Sequence, residues 1–149
     1  MKNTRKRGVR PTSSLVLNAV ANIVGSFEDV IFIDLFAGTG RVGLEAEKRG
    51  ARVIYVEKNP RLADQIKERV EGKVIRADAL SFLRNFPGKA DVIFADPPYS
   101  FKHYEKLISL SLDKIARGGI FILEHSKMKS FPCDDRREYG DTALSLWRR

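Results

Sequence analysis

An open, mostly parallel α/β sheet with an antiparallel hairpin at one edge is the architecture this chain encodes, and three features say so. Short, wholly apolar runs alternate four times with amphipathic helical stretches. A glycine turn, Gly38-Thr39-Gly40, joins the first run to the helix that follows it. The last stretch then changes character, to two short alternating runs around Gly140-Asp141. Repeated strand–helix units build a parallel sheet covered on both faces, and alternating runs about a Gly-Asp pair signal a hairpin.

The elements follow in order. Thr12 is placed to cap a helix whose apolar face runs through Leu15, Val16, Ala19, Val20, Ile23 and Val24, closed by Gly25. Val30-Ile31-Phe32-Ile33 reads as a strand buried on both faces and ends at Asp34. A helix through Val42, Leu44 and Ala46 stops at Gly50, and Val53-Ile54-Tyr55-Val56 forms a second strand ending at Glu57. Asn59 caps the next helix with Pro60 at its first position, and Leu62, Ile66 and Val70 face inward. Val74-Ile75 leads to Asp78 and a short helix through Leu80, Leu83 and Phe86, broken by Pro87-Gly88. Asp91 to Ala95 leads to Asp96; a helix through Tyr104, Leu107, Ile108, Leu112 and Ile115 ends at Gly118-Gly119; Ile120 to Leu123 is the fifth strand. The runs Arg136 to Tyr139 and Ala143 to Trp147 make the hairpin. The division is a basic arm over residues 1–11 and one domain over 12–149.

Bulk properties limit the function. The chain has 149 residues, one cysteine and a net charge of +8. One thiol, Cys133, forms no internal disulfide, reads as inert, and leaves no cluster for a metal. No apolar run approaches the ~20 residues that span a bilayer, so a cytoplasmic protein is expected, with no membrane and no metal. Lys2, Arg5, Lys6, Arg7 and Arg10 put five cations and no acid in the first ten residues. With Thr12 they are the candidate nucleic-acid contacts, because each phosphate neutralised releases counterions.

Four of the apolar runs end in, or just before, a carboxylate: Asp34, Glu57, Asp78 and Asp96. Ligands of parallel α/β sheets bind at the carboxyl ends of the strands, so the row describes a ligand that is cationic and rich in hydroxyl and amine donors. S-adenosylmethionine fits. Gly38-Thr39-Gly40-Arg41-Val42-Gly43 also satisfies the dinucleotide fingerprint, but an acid beside that turn would repel a pyrophosphate. Asp34 would attract the ammonium and sulfonium, Glu57 would accept two ribose hydroxyls, and Asp78 would lie near the adenine amine. The candidate cofactor residues are Asp34, Phe36, Ala37, Gly38, Thr39, Gly40, Glu57, Lys58, Asp78, Ala79 and Asp96.

Asp96-Pro97-Pro98-Tyr99 supplies the catalytic candidates. The lone pair of an exocyclic base amine is delocalised into the ring, and hydrogen bonds from its NH2 to Asp96 and to the Pro97 carbonyl would aim it at a methyl donor. Pro97 and Pro98 stiffen the loop and bring no N–H. Tyr99 offers a stacking face, worth about 1–3 kcal/mol per base. The base must be single-stranded or flipped out. His103 and His125 read as surface or helix-cap groups, and Trp147 as an edge-strand packing residue.

Asp34-Leu35-Phe36-Ala37-Gly38-Thr39-Gly40, then Gly43-Leu44-Glu45-Ala46, and Asp96 to Tyr99 resemble the class I methyltransferases. Arg10-Pro11-Thr12, Asn22 and Tyr139-Gly140-Asp141-Thr142 make the chain similar to bacterial small-subunit (16S) ribosomal RNA guanine-N2 methyltransferases of the RsmD type. The resemblance implies a Rossmann-like, seven-stranded sheet and methylation of a guanine 2-amino group in ribosomal RNA; the expected partner is ribosomal RNA or the assembling small subunit, and the expected state a monomer. Two departures lie in the substrate-facing part. Nine residues precede Arg10 where members carry a longer basic hairpin, and Leu17-Asn18 stands where they carry Arg-Glu. The rival readings are an adenine-N6 or cytosine-N4 methyltransferase on RNA or DNA, a non-catalytic RNA-binding module, and a nicotinamide-dependent oxidoreductase.

Overall fold

The computed structural model describes residues 13–149. The expected arm contacts Lys2, Arg5, Lys6, Arg7, Arg10 and Thr12 lie outside them. The described chain runs α1 (Ser14–Val24), β1 (Ile31–Leu35), α2 (Arg41–Lys48), β2 (Arg52–Val56), α3 (Pro60–Lys67), β3 (Lys73–Ile75), α4 (Ala79–Asn85), β4 (Ala90–Ala95), α5 (Tyr104–Asp113), β5 (Ile115–Ser126), β6 (Asp135–Tyr139) and β7 (Thr142–Arg148). The seven strands form one sheet in the order β3-β2-β1-β4-β5-β7-β6. β1 to β5 pair in parallel, while β7 runs antiparallel to both β5 and β6. The expected architecture is present, and its strand order reverses direction between β1 and β4.

Successive strand residues split between two cores, as the two-residue pleat requires. Phe32, Tyr55, Phe94 and Ile122 pack under α1 and α2, with Ile66 of α3. Ile33, Leu35, Ile93, Phe121 and Leu123 pack under α4 and α5. Phe32, Ile33 and Leu35 have no exposed surface, so each contributes about 1.5–3 kcal/mol of burial.

Several local expectations are corrected. Ser13, not Thr12, caps α1: its hydroxyl accepts from the Val16 N–H at 3.2 Å. Leu15 does not join the apolar face and stays 61% exposed. β1 does not end at Asp34 but runs one residue further, to Leu35. α5 stops at Asp113, and Ile115 begins β5 opposite Ala90; the register then shifts so that Ile120 meets Val92. Gly118 and Gly119 do not end a helix. They pair with Arg149, through Gly118 N–H to the Arg149 carbonyl at 2.9 Å and Arg149 N–H to the Gly119 carbonyl at 3.0 Å. Trp147 sits in β7, which is interior to the sheet. Its ring stacks on Phe121 at 5.2 Å, and Nε1 donates to the Pro132 carbonyl at 3.0 Å.

Candidate active site

A pocket of about 410 Å³ opens at the carboxyl ends of the parallel strands. It collects Asp34, Phe36, Ala37, Gly38, Thr39, Glu57, Lys58, Asp78, Ala79 and the whole of Asp96 to Tyr99. Leu35 pairs with Ala95 across β1 and β4, so Asp96 emerges beside Phe36 at the point where the strand order turns. A crevice at such a reversal is where open α/β sheets bind ligands. Gly40 alone among the cofactor and catalytic candidates does not line it. With φ of 79° it caps α2, and a Cβ there would come within 3.2 Å of Ile66.

Asp34 is 2% exposed, and its Oδ2 accepts from the Gly43 N–H at 3.0 Å. Burial pushes its carboxyl well above the ordinary range; the Gly43 bond opposes this, and the charges of Asp96 and Glu57 add to it. A cation beside Asp34 would restore the carboxylate. Gly43 is what lets α2 approach so closely. A Cβ at Gly43 would lie 2.3 Å from Tyr55 Cε2 and 3.0 Å from Asp34 Oδ2. Tyr55 donates to Glu47 Oε1 at 3.0 Å, and Glu47 also accepts from the Glu71 and Gly72 amides at 2.9 and 2.8 Å. Burial, then that bond, raises the Tyr55 hydroxyl pKa and keeps it a donor.

Glu57 shapes the turn between β1 and α2. Its Oε1 accepts from the Gly38 N–H at 2.8 Å and its Oε2 from the Asn59 N–H at 3.0 Å. A carboxylate has about four lone-pair sites, so two remain for hydroxyl donors. Gly40 N–H donates to the Ala37 carbonyl at 2.8 Å. Both glycine amides are therefore committed within the protein, and the turn does not offer them to a phosphate as a dinucleotide site would. Asp78 both caps α4, accepting from the Ser81 N–H at 3.1 Å, and faces the pocket. Phe36 has φ of 57°, a left-handed conformation that costs of order 1–3 kcal/mol and is held here by its neighbours. Its ring meets Phe101 edge-on at 5.3 Å.

At the other end, the Pro98 carbonyl accepts from the Phe101 N–H at 3.0 Å and closes a turn over Pro98 to Phe101, just past the start of the tetrapeptide. Tyr99 is 59% exposed at its rim, as a stacking face requires. Burial, then the Asp96 charge, raises the Tyr104 hydroxyl pKa. His103 occupies the N-cap of α5 and is exposed, as expected.

The pocket also recruits groups that local pattern did not mark: Phe101, Lys102, Tyr104, His125, Ser126 and Lys129. His125 is corrected from a surface group to a buried one, 3% exposed in β5. Its Nδ1 lies 2.8 Å from the Ser126 carbonyl and its Nε2 2.7 Å from Ser145 Oγ. The carbonyl only accepts, so Nδ1 carries the proton and Nε2 accepts from the serine hydroxyl. Burial lowers the His125 pKa; the Ser126 bond opposes this, and Arg136 and Lys129 reinforce it. Cys133 donates to the Asp135 carbonyl at 3.2 Å, outside the pocket lining. Among the described residues, no group of His, Cys, Asp or Glu is placed to hold a metal ion, and no helix is long and apolar enough to cross a membrane.

A family model described as "Conserved hypothetical protein 95" matches residues 1–148. The YlbH protein of Bacillus subtilis is 25% identical over 174 aligned positions, covering 100% of this chain and 92% of that one. "Ribosomal RNA small subunit methyltransferase D" of Haemophilus influenzae is 32% identical over 115 residues, which cover 69% of this chain and 60% of that protein. Among solved structures, a hypothetical protein of Thermus thermophilus superposes with a TM-score of 0.86 at 28% identity, over 94% of this chain and 88% of that one.

Proposed function

The chain belongs to the family described as conserved hypothetical protein 95, and from that premise we propose an S-adenosylmethionine-dependent N-methyltransferase acting on the 2-amino group of a guanine in small-subunit ribosomal RNA. One observation carries the reading. A single pocket at the β1–β4 switch point is lined both by Asp34, Glu57 and Asp78 and by Asp96 to Tyr99. The first set suits a cationic nucleoside and the second a flat amine-bearing base. The name of the Haemophilus relative supports ribosomal RNA as the substrate class. Guanine N2 follows from the sequence resemblance. The protein works in the cytoplasm as a monomer, on ribosomal RNA or the assembling small subunit.

The cofactor, when bound, supplies an electrophilic sulfonium methyl. The chain's own residues do the rest. Asp34 would balance the ammonium, the two open lone pairs of Glu57 would accept ribose hydroxyls, and Asp78, which already caps α4 through Ser81, would accept from the adenine amine. Asp96 and the Pro97 carbonyl accept the two N–H bonds of the target amine, and Tyr99 stacks on its ring. Holding both reactants in line supplies roughly 7–11 kcal/mol of the barrier. Asp96 takes the proton after transfer, because methylation acidifies the nitrogen.

The test is transfer of a labelled methyl group from S-adenosylmethionine to ribosomal RNA, assembling small subunits and DNA, followed by digestion and identification of the nucleoside. N2-methylguanosine from ribosomal RNA is expected. N6-methyladenine or N4-methylcytosine would keep the pocket and move the target. A thermal shift with a nicotinamide dinucleotide but none with S-adenosylhomocysteine would refute the cofactor.

A further inference from the structure

The connection between β5 and β6 carries cations at the pocket mouth that the methyl-transfer chemistry does not use. Lys127, Met128 and Lys129 are consecutive and exposed, and Met128 is 86% exposed, more than any other large apolar side chain described. Lys129 lines the pocket with Lys102, and its ammonium sits 5.3 Å from the centre of the Tyr104 ring. This segment is built, not loose. Lys127 N–H donates to the Asp141 carbonyl and Lys129 N–H to the Ser126 carbonyl, each at 3.0 Å, while Met128 N–H donates to Ser126 Oγ at 3.1 Å. The Arg136 guanidinium stitches it from below, giving 2.8 Å to the Lys129 carbonyl and 2.7 Å to the Lys127 carbonyl. Arg136 also pairs with Glu138 at 3.1 Å, so its own charge is engaged inside the protein. Lys129 therefore brings its ammonium over Tyr104 at the pocket, with the exposed Lys127 beside it in the same turn.

Resting on the function proposed above, we propose that Lys127-Met128-Lys129 is a clamp for the RNA strand beside the target nucleotide, the lysines on its flanking phosphates and Met128 against the neighbouring base. A nucleotide reaching Asp96 past Tyr99 carries its backbone along the rim that Lys102 and Lys129 share. Lys129 on that rim and the exposed Lys127 two residues before it, both on a hydrogen-bonded backbone, would neutralise phosphates and release their counterions. An exposed apolar side chain between them is the kind of wedge that separates one base from its neighbour. Because four hydrogen bonds to the turn's backbone, together with the Ser126 side chain, already fix its shape, little ordering is left to be done on binding.

The experiment compares the intact protein with Lys127→Ala/Lys129→Ala and with Met128→Ala. Small-subunit ribosomal RNA binding is read across a potassium chloride series, and S-adenosylhomocysteine affinity serves as a control of folding. The double variant should lose RNA affinity and flatten the logarithmic salt slope by about 1.4, at roughly 0.7 per strand phosphate. Met128→Ala should weaken RNA binding with the slope unchanged, since it removes no charge. Cofactor affinity should hold in both. An unchanged slope in the double variant, with normal binding by the intact protein, overturns the clamp alone. Intact protein that binds no ribosomal RNA at any salt overturns the clamp and the proposed function together. Variants that keep naked RNA but lose assembling small subunits would assign the turn to a protein component and overturn the RNA contact.

Discussion

Replacing Asp34 by asparagine separates what its charge does from what its shape does. The side chain is 2% exposed and accepts the Gly43 N–H at 3.0 Å. An asparagine oxygen keeps that bond, so the volume and the α2 contact survive while the charge is lost. In the free protein, burial raises the carboxyl pKa well above 3.8. A raised folded pKa gives a stability share that is full below the unfolded value and is lost as pH rises through the folded one. Asp34→Asn should therefore be more stable than the wild type at neutral pH, with the gap closing toward pH 3.8 and below. Binding should move the other way. Loss of one charge-assisted hydrogen bond to the ligand ammonium costs about 1.5–3 kcal/mol, roughly 10- to 150-fold in Kd. In the wild type, a cation that forces Asp34 to ionise must release a proton. Affinity should then rise about tenfold per pH unit while the free carboxyl is protonated. Calorimetric titration with S-adenosylhomocysteine, at several pH values and in two buffers of different ionisation enthalpy, reads both effects. Equal affinity and equal proton release in the two proteins would refute the assignment of Asp34 to the ligand cation.

Gly43→Ala should destabilise the fold by about 1–3 kcal/mol, because its methyl would sit 2.3 Å from the Tyr55 ring and 3.0 Å from Asp34. A lower urea midpoint at unchanged slope checks this, and a wild-type midpoint would show that α2 can yield. Glu57→Ala should raise the S-adenosylhomocysteine Kd at least ~10-fold, since it removes the ribose acceptors and frees the Gly38 and Asn59 amides it now binds. An unchanged Kd in titration would take Glu57 out of the cofactor site.

The parallel part of the sheet was legible because a strand covered on both faces leaves a run of apolar residues, and the acids stand where those runs stop. Glycines and the Asn59-Pro60 cap marked the helix ends for the same local reason. What escaped was non-local. The apolar run of the fifth strand stopped at Leu123 and His125 read as a surface group, yet β7 pairs with Glu124, His125 and Ser126 through Leu144, Ala143 and Thr142 and buries the first two. His125 is tolerated inside because the Ser126 carbonyl takes its Nδ1–H and Ser145, twenty residues on, offers its hydroxyl to Nε2. Ile115 matched the helical spacing of α5, but pairing with Ala90 claims it for the sheet. Lys129 carries no motif at all; the β5–β6 connection brings it over Tyr104. Tertiary pairing made those assignments, and a window of neighbours cannot see it.

One pocket is divided into a cofactor end and a target end, and Asp96→Ala separates the two when S-adenosylhomocysteine affinity and methyl transfer are measured on the same preparation. The charge of Asp96 helps hold the Asp34 carboxyl protonated, so its removal should leave cofactor affinity within a few-fold or slightly improve it. Methyl transfer to ribosomal RNA should fall by about 100-fold or more, the scale of a misplaced reactant. A large loss of cofactor affinity, or turnover near the wild-type rate, would contradict the division.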